Sequence, residues 1–455
     1  MTAAPTTDRK RTSTEGVAGR LGALAQRFLG GPLPVRLRAW DGSEAGPAQA
    51  PLVVLRSRRG LRRLLWQPGE LGLAEAYITG DVDVPGDVGE GLRTVWRAAR
   101  ERGLRPPRLS LSDRAEAAAL LLRIGALGPP PQPPAGRARL GGVLHSTARD
   151  RAAISHHYDL SNAFYALLLD PSMAYSCGYW AKAPGAEPGY GLAEAQRDKL
   201  DLVCRKLGLG QEGSGREPGQ DASPRLLDVG CGWGSLTLHA AEHYGARVVA
   251  VTLSGEQAGF VRARVRERGL EDRVEVRHCH YRDLRDGGFD AAATIEMGEH
   301  VGRAEYPHFT AALHGMVRPG GRVLVQQMSR GAKAPGGGAF IETYIAPDMH
   351  MRPLGETVGL LEEAGLEVRA TASLREHYVH TIAAWARTLD ERWEEFTELA
   401  GAETARVWRL YLAGGGLAFA ERRMGVDQIL AVRPLDEGEA GLGPVPHGGH
   451  DGEWP

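Results

Sequence analysis

The stretch from Leu226 to Gln257, LLDVGCGWGSLTLHAAEHYGARVVAVTLSGEQ, holds the residues best spaced for chemistry. An apolar run closes on the carboxylate of Asp228, glycines follow at alternate positions (Gly230, Gly232, Gly234), and LTLHAAEHY takes up helical spacing. That order predicts strand, tight loop and helix. Glycines let the backbone turn sharply and approach a ligand, while free N–H groups at the helix start attract an electron-rich group. The β-branched run RVVAVTL then reaches Thr252, the place where a unit of this kind grips a nucleotide-type ribose.

The elements that must hold these residues follow in order. Strands are expected at Val274–Cys279, in FDAAATIEM ahead of GEHVG, and at Arg322–Met328, with helices between them. Such alternation implies a doubly wound α/β sheet, whose ligands lie beyond the carboxyl ends of its strands. Asp228, Thr252, Asp283, Glu299 and Gln326 all fall at or near such ends. Upstream, His156 to Trp180 is crowded with aromatics (Tyr158, Phe164, Tyr165, Tyr175, Tyr179, Trp180) around Cys177. Aromatic helices are usually core; here the polar tips and the embedded thiol also fit a site.

The chain has 455 residues, which suits two domains with tails. Residues 1–17 and 435–455 read as disordered, 18–128 as a smaller mixed α/β domain, 129–150 as a proline-rich linker and 151–434 as the main domain. The arginines Arg36, Arg38, Arg56, Arg58, Arg59, Arg62 and Arg63 fit a solvated face, or else a surface for anionic lipid headgroups. A net charge of -1 gives no global pull toward nucleic acid. No apolar run reaches the roughly 18 residues of a membrane span. Cys177, Cys204, Cys231 and Cys279 are scattered without paired spacing, which fits a reducing cytoplasm and argues against a structural zinc. His239, Glu242 and His243 formally spell H-x-x-E-H, but no third ligand accompanies them and no metal is expected.

The glycine order G-x-G-x-G after a strand-end acid looks like the S-adenosylmethionine loop of class I methyltransferases. HYDLSN, YSCGYW, AQRDKL, LLDVGCGWG, VTLSGEQ, YRDL, EMGEHVG, PGGRVL and FIETYIAP, in this order, closely resemble the cyclopropane-fatty-acyl-phospholipid synthase family. The resemblance runs from Ser155 to about Arg433. It implies a Rossmann-like class I methyltransferase domain preceded by a lipid-binding domain, in a cytoplasmic protein that attaches peripherally to membranes. It also implies methylation of a cis double bond in a phospholipid acyl chain, giving a cyclopropane. The alternatives are a methylene branch, which calls for a reductase partner, and a methyltransferase for a small molecule. A homodimer stands among the expected assemblies.

The resemblance assigns Tyr158, Tyr175, Ser176, Asp228, Gly230, Gly232, Gly234, Thr252, Leu253 and Gln257 to S-adenosylmethionine. In the family a bound bicarbonate acts as base, held by a Cys, a Glu, a His, a backbone position and a Tyr. Cys177, Glu299 and Tyr378 match three of these, and Met328 takes the backbone position. Gln326 stands where the family has the His. An amide can donate a hydrogen bond to an anion, but it cannot exchange protons as imidazole does.

Overall fold

The computed structural model describes residues 16–103, 111–137, 149, 161–210, 223–332 and 336–440. The chain forms two compact units: Met1–Arg137 with Gly401–Leu417, and Ala138–Ala400 with Ala418–Pro455. The sequence runs the main domain unbroken to 434, whereas Gly401–Leu417 group with the first unit. Residues 129–137, read as linker, also belong there. Arg137 explains this, because its Nε donates to the buried carboxylate of Glu75 at 2.8 Å. The insertion 211–222 and the rest of the linker, 138–148 and 150, lie outside the described residues.

The first unit builds α1 (Val17–Leu29), β1 (Arg36–Arg38), β2 (Glu44–Ala45), β3 (Leu52–Leu55), α2 (Arg58–Trp66), α3 (Glu70–Ile78), β4 (Val82–Asp83), α4 (Val88–Glu101) and α5 (Leu111–Arg123). Its small sheet runs β2-β1-β3-β4. The arginine-rich stretch proves to be helix α2, started by the Ser57 side chain accepting from the Arg59 N–H. Its charges serve the unit itself rather than forming one free basic face. Arg63 is buried against Asp81 and Glu75, Arg59 pairs with Asp81 and Arg56 with Asp83.

The second unit carries α6 (Asn162–Leu168), α7 (Leu192–Lys206), β5 (Arg225–Val229), α8 (Ser235–His243), β6 (Arg247–Thr252), α9 (Gly255–Glu267), β7 (Val274–His278), β8 (Phe289–Ile295), α10 (Tyr306–Met316), β9 (Val317–Ser329), α11 (Ala339–Tyr344), α12 (Leu354–Glu363), β10 (Glu367–Ser373) and α13 (Arg375–Glu391). It ends on α14 (Trp393–Ala400), on α15 (Ala402–Ala420), most of which counts with the first unit, and on β11 (Gly425–Val432). The sheet order is β10-β11-β9-β8-β5-β6-β7, parallel from β9 to β7, with β11 antiparallel between β9 and β10. Alternate residues of each strand feed opposite faces. Leu226 and Leu324 pack into one core with Leu236, Val248 and Val261, while Leu227, Val323 and Val325 join Phe309 and Ile429 in the other.

Two details of chain path differ from the sequence reading. Strand β8 ends at Ile295 rather than running through Met297, because Glu296 takes a left-handed φ of 52° and turns the backbone out of the sheet. Beyond Pro434, the tail begins with a turn in which the Leu435 N–H donates to the Glu439 carbonyl at 2.8 Å. The residues from 441 onward lie outside the described ones.

Candidate active site

β5 is flanked by β6 on one side and β8 on the other, so the chain winds away from it in both directions and leaves a crevice at the strand ends. A cavity opens there. Its wall includes Tyr175, Ser176, Asp228, Gly230, Gly232, Thr252, Leu253 and Gln257. The glycines have φ of 84° at 230, 55° at 232 and 84° at 234. A side chain at Gly232 would meet nothing within 4 Å, whereas one at Gly230 would strike Met297 at 2.9 Å. Gly232 thus leaves open space where a ligand could approach the loop, and the first residues of α8, Ser235 and Leu236, line the same cavity. These residues fit S-adenosylmethionine. Gly234 fills the helix-cap position behind them.

Asp228 accepts from Thr237 Oγ at 2.6 Å, which ties the strand end to α8, and burial pushes its carboxyl up to about 6. At the next strand, Thr252 donates to Gln257 at 2.8 Å, and the Ser254 side chain starts α9 by accepting from the Gln257 N–H. The Leu253 carbonyl accepts from His278. Of the aromatics, Tyr175 lines the cavity while Phe164 and Tyr165 are fully buried, Tyr165 lying 4.3 Å from the Trp233 ring. Tyr179 stacks on His377, and the Trp180 indole donates to Thr381. Tyr158 lies outside the described residues.

The five positions assigned to the base gather around a residue the sequence reading passed over, Glu296. Its Oε1 accepts from the Cys177 N–H at 2.8 Å and from Gln326 Nε2 at 2.9 Å, and its Oε2 accepts from the Tyr378 hydroxyl at 2.7 Å. Glu296 lines the cavity; Cys177, Gln326 and Tyr378 stand behind it. Glu299 sits beside this cluster, its Oε1 held by the Met328 N–H at 2.5 Å and its Oε2 buried without a hydrogen-bond partner among the described residues. Burial, and then the neighbouring Glu296, push the Glu299 carboxyl up to about 8. Burial raises Glu296 as well, against three donors and the cation of Lys199. Three donors from other residues and the Lys199 cation act on Glu296, against the Met328 N–H, its own N–H and the Arg352 cation on Glu299, and this greater support puts the charge of the pair on Glu296 at neutral pH and leaves the proton on Glu299.

Gln326 is oriented from behind. Lys206 Nζ donates to Gln428 Oε1, Gln428 Nε2 donates to Gln326 Oε1, both at 2.8 Å, and Gln326 Nε2 faces Glu296. Gln326 and Gln428 are direct cross-strand partners in β9 and β11. An ammonium can only donate, so Lys206 fixes the sense of both amides. The sequence reading also missed Lys199, fully buried in α7 and lining the cavity, whose Nζ lies 3.1 Å from Ser176 Oγ. His239 bonds Asp201 at 2.8 Å, and no metal-holding group of three acidic, His or Cys residues occurs among the described residues.

A parallel sheet with one inserted antiparallel strand, and a glycine loop at its switch point, define a class I methyltransferase. The profile of the mycolic acid cyclopropane synthetase family matches residues 145–429, and the chain belongs to that family. It is 38% identical over 421 residues to a probable fatty acid methyltransferase of Mycobacterium tuberculosis, covering 90% of this chain and 94% of that one. It is 31% identical over 431 residues to the tuberculostearic acid methyltransferase of the same organism, covering 92% of each. Among solved structures, it matches the mycolic acid cyclopropane synthase CmaA1 complexed with SAH and CTAB with a TM-score of 0.55 and 28% identity, over 62% of this chain and 97% of that one. The protein is accordingly an S-adenosylmethionine-dependent methyltransferase of the lipid-modifying kind.

Proposed function

We infer that the protein methylates a cis double bond in the acyl chain of a membrane phospholipid and closes a cyclopropane ring. The observation that carries this reading is the carboxylate of Glu296 in the wall of the cofactor cavity, backed by neutral donors. When bound, S-adenosylmethionine supplies an electrophilic methyl group, and an alkene that takes it becomes a cation that must lose a proton. Tyr175 offers an aromatic face to positive charge, and such faces contribute about 0.5 to 2 kcal/mol when desolvated. Ser176 and Lys199, both buried, line the same cavity. The test is incubation with S-adenosylmethionine and vesicles of cis-monounsaturated phospholipid. Upfield cyclopropane protons in the NMR spectrum are the expected result; no lipid product would overturn the reading.

A second reading, a hydride shift along the chain before the new methyl group gives up its proton, which leaves a methylene branch, is favoured by Gln326 in place of a His and by the likeness to a tuberculostearic acid methyltransferase. Vinylidene protons in the same experiment mark it, and that product would need a reductase to become a methyl branch.

The first unit supports contact with a lipid surface. Leu65, Trp66, Leu73, Leu122 and Leu127 are exposed, with Trp66 at 59% and Leu122 at 64%. Bonds from Trp66 to the Gly128 carbonyl and from Arg62 to the Leu127 carbonyl draw the end of α2 to the end of α5. Among the described residues no helix is long and apolar enough to cross a membrane, so attachment through this face would be peripheral. A Trp66→Ser, Leu73→Ser double variant is expected to partition into vesicles about tenfold less or weaker still, on the usual 1.5–3 kcal/mol for burying a large apolar side chain. Co-sedimentation measures it, and undiminished binding would move the contact elsewhere.

A further inference from the structure

We propose that Glu296 is the general base of the reaction, a side chain built into the place where the wider family holds a bicarbonate ion; the inference rests on the lipid methylation proposed above. A separate anion does not fit this cluster. The Cys177 N–H, the Gln326 amide and the Tyr378 hydroxyl, the donors that would have to grip it, already hold the Glu296 carboxylate. A second anion beside them would also face the charged carboxylate of Glu296 at close range.

The geometry of Glu296 is that of a base rather than a brace. Its φ of 52° turns the side chain from the end of β8 into the cavity wall, and its N–H is tied to the Gln326 carbonyl at 2.6 Å. The other carboxylates in the wall are engaged elsewhere: Asp228 with Thr237 under the loop, and Asp348 in an ion pair with Arg149. Among the described residues Glu296 has three hydrogen-bond donors, all neutral, two on Oε1 and one on Oε2. A carboxylate offers about four acceptor directions, so one on Oε2 is left for a substrate proton.

The step balances. The alkene π pair forms a bond to the methyl carbon, the methyl–sulfur bond breaks with its electrons going to sulfur, and the neighbouring chain carbon becomes a cation. Glu296 takes one proton. That proton comes from the new methyl group: if it leaves directly, the C–H electrons close the ring on the cationic neighbour; if a hydride first shifts from the methylated carbon to that neighbour, the cation lies beside the methyl group and the same C–H electrons form a methylene double bond. The proton then passes to solvent when the product leaves.

Three proteins test this. In carbonate-free buffer the parent is expected to turn over at its full rate. Glu296→Gln keeps the shape and should lose lipid product at least a hundredfold while binding S-adenosylmethionine within threefold of the parent by calorimetry. Glu296→Gly suits the left-handed backbone and empties the cluster, so it should be inactive without carbonate and regain turnover when bicarbonate is added. A readout apart from turnover is binding of 13C-labelled bicarbonate by NMR, expected for Glu296→Gly and not for the parent. Parental turnover in Glu296→Gln, a parent that needs added bicarbonate, or a parent that binds it, each overturns the proposal. If the parent makes no lipid product, the lipid methylation reading fails instead, and the labelled-bicarbonate result still decides whether Glu296 stands in the ion's place.

Discussion

Lys206→Met is expected to move the acid limb of lipid methylation upward by about one pH unit and to cut turnover at pH 7 by about two- to fivefold, although Lys206 touches neither cavity nor substrate. Its ammonium is buried, and burial alone brings it down to about 8, still protonated at neutral pH. There it compels Gln428 to accept, which compels Gln326 to accept from Gln428 and to donate to Glu296. Without it both amides can turn over, and a Gln326 carbonyl facing Glu296 favours the protonated acid. A shift of one unit corresponds to about 1.4 kcal/mol, a modest demand on one reversed hydrogen bond to a charged group. The other groups bearing on Glu296 stay in place: Lys199 from α7, Cys177 and its N–H, Tyr378 from α13 and Glu299. The pH profile of turnover is the measurement. Equal profiles with lower turnover throughout would make Lys206 a packing residue only.

What could be read in the chain, and what could not, follows from how far apart the cooperating residues lie. The glycine loop was legible because its chemistry is local: three glycines, an acid and a helix start lie within ten positions, and the left-handed φ values at all three bear that geometry out. The sheet was legible from alternation of strand and helix, since its central strands bury both faces. Glu296 was not, because FDAAATIEM continues the strand pattern past the point where β8 stops, and a left-handed glutamate leaves no mark on periodicity. Attention fell on Glu299 three positions later, which bonds Met328 instead of facing Cys177 and Tyr378. The relay behind Gln326 was out of reach for another reason. Lys206 and Gln428 are 222 positions apart and meet only because β11 inserts antiparallel beside β9. Of the arginines around α2, those the sequence placed on a solvated face stay exposed at Arg56 and Arg59, but their pairing with Asp81 and Asp83, and that of buried Arg63 with Asp81, depends on a turn that spacing alone does not fold back.

Glu299→Gln is expected to remove a steep pH dependence from the stability of the fold. The carboxyl has an ordinary value of 4.5 in the unfolded chain and is pushed to about 8 in the folded one, first by burial and then by Glu296. Below the lower value both states are protonated and the residue contributes no pH dependence. As the pH rises toward 8 the unfolded chain releases its proton while the folded chain keeps it, so stability falls, and above 8 the loss is constant. At about 1.4 kcal/mol per unit the parent should lose roughly 5 kcal/mol across that window relative to the variant. The amide keeps an acceptor for the Met328 N–H and leaves its NH2 where Oε2 has no partner, a penalty that does not change with pH and so drops out of the slope. Denaturant unfolding of both proteins from pH 5 to pH 8 reads the difference. Parallel curves would mean that Glu299 is ionised in the folded protein, and that Glu296 rather than Glu299 holds the shared proton at neutral pH, which would also remove Glu296 as the resting base.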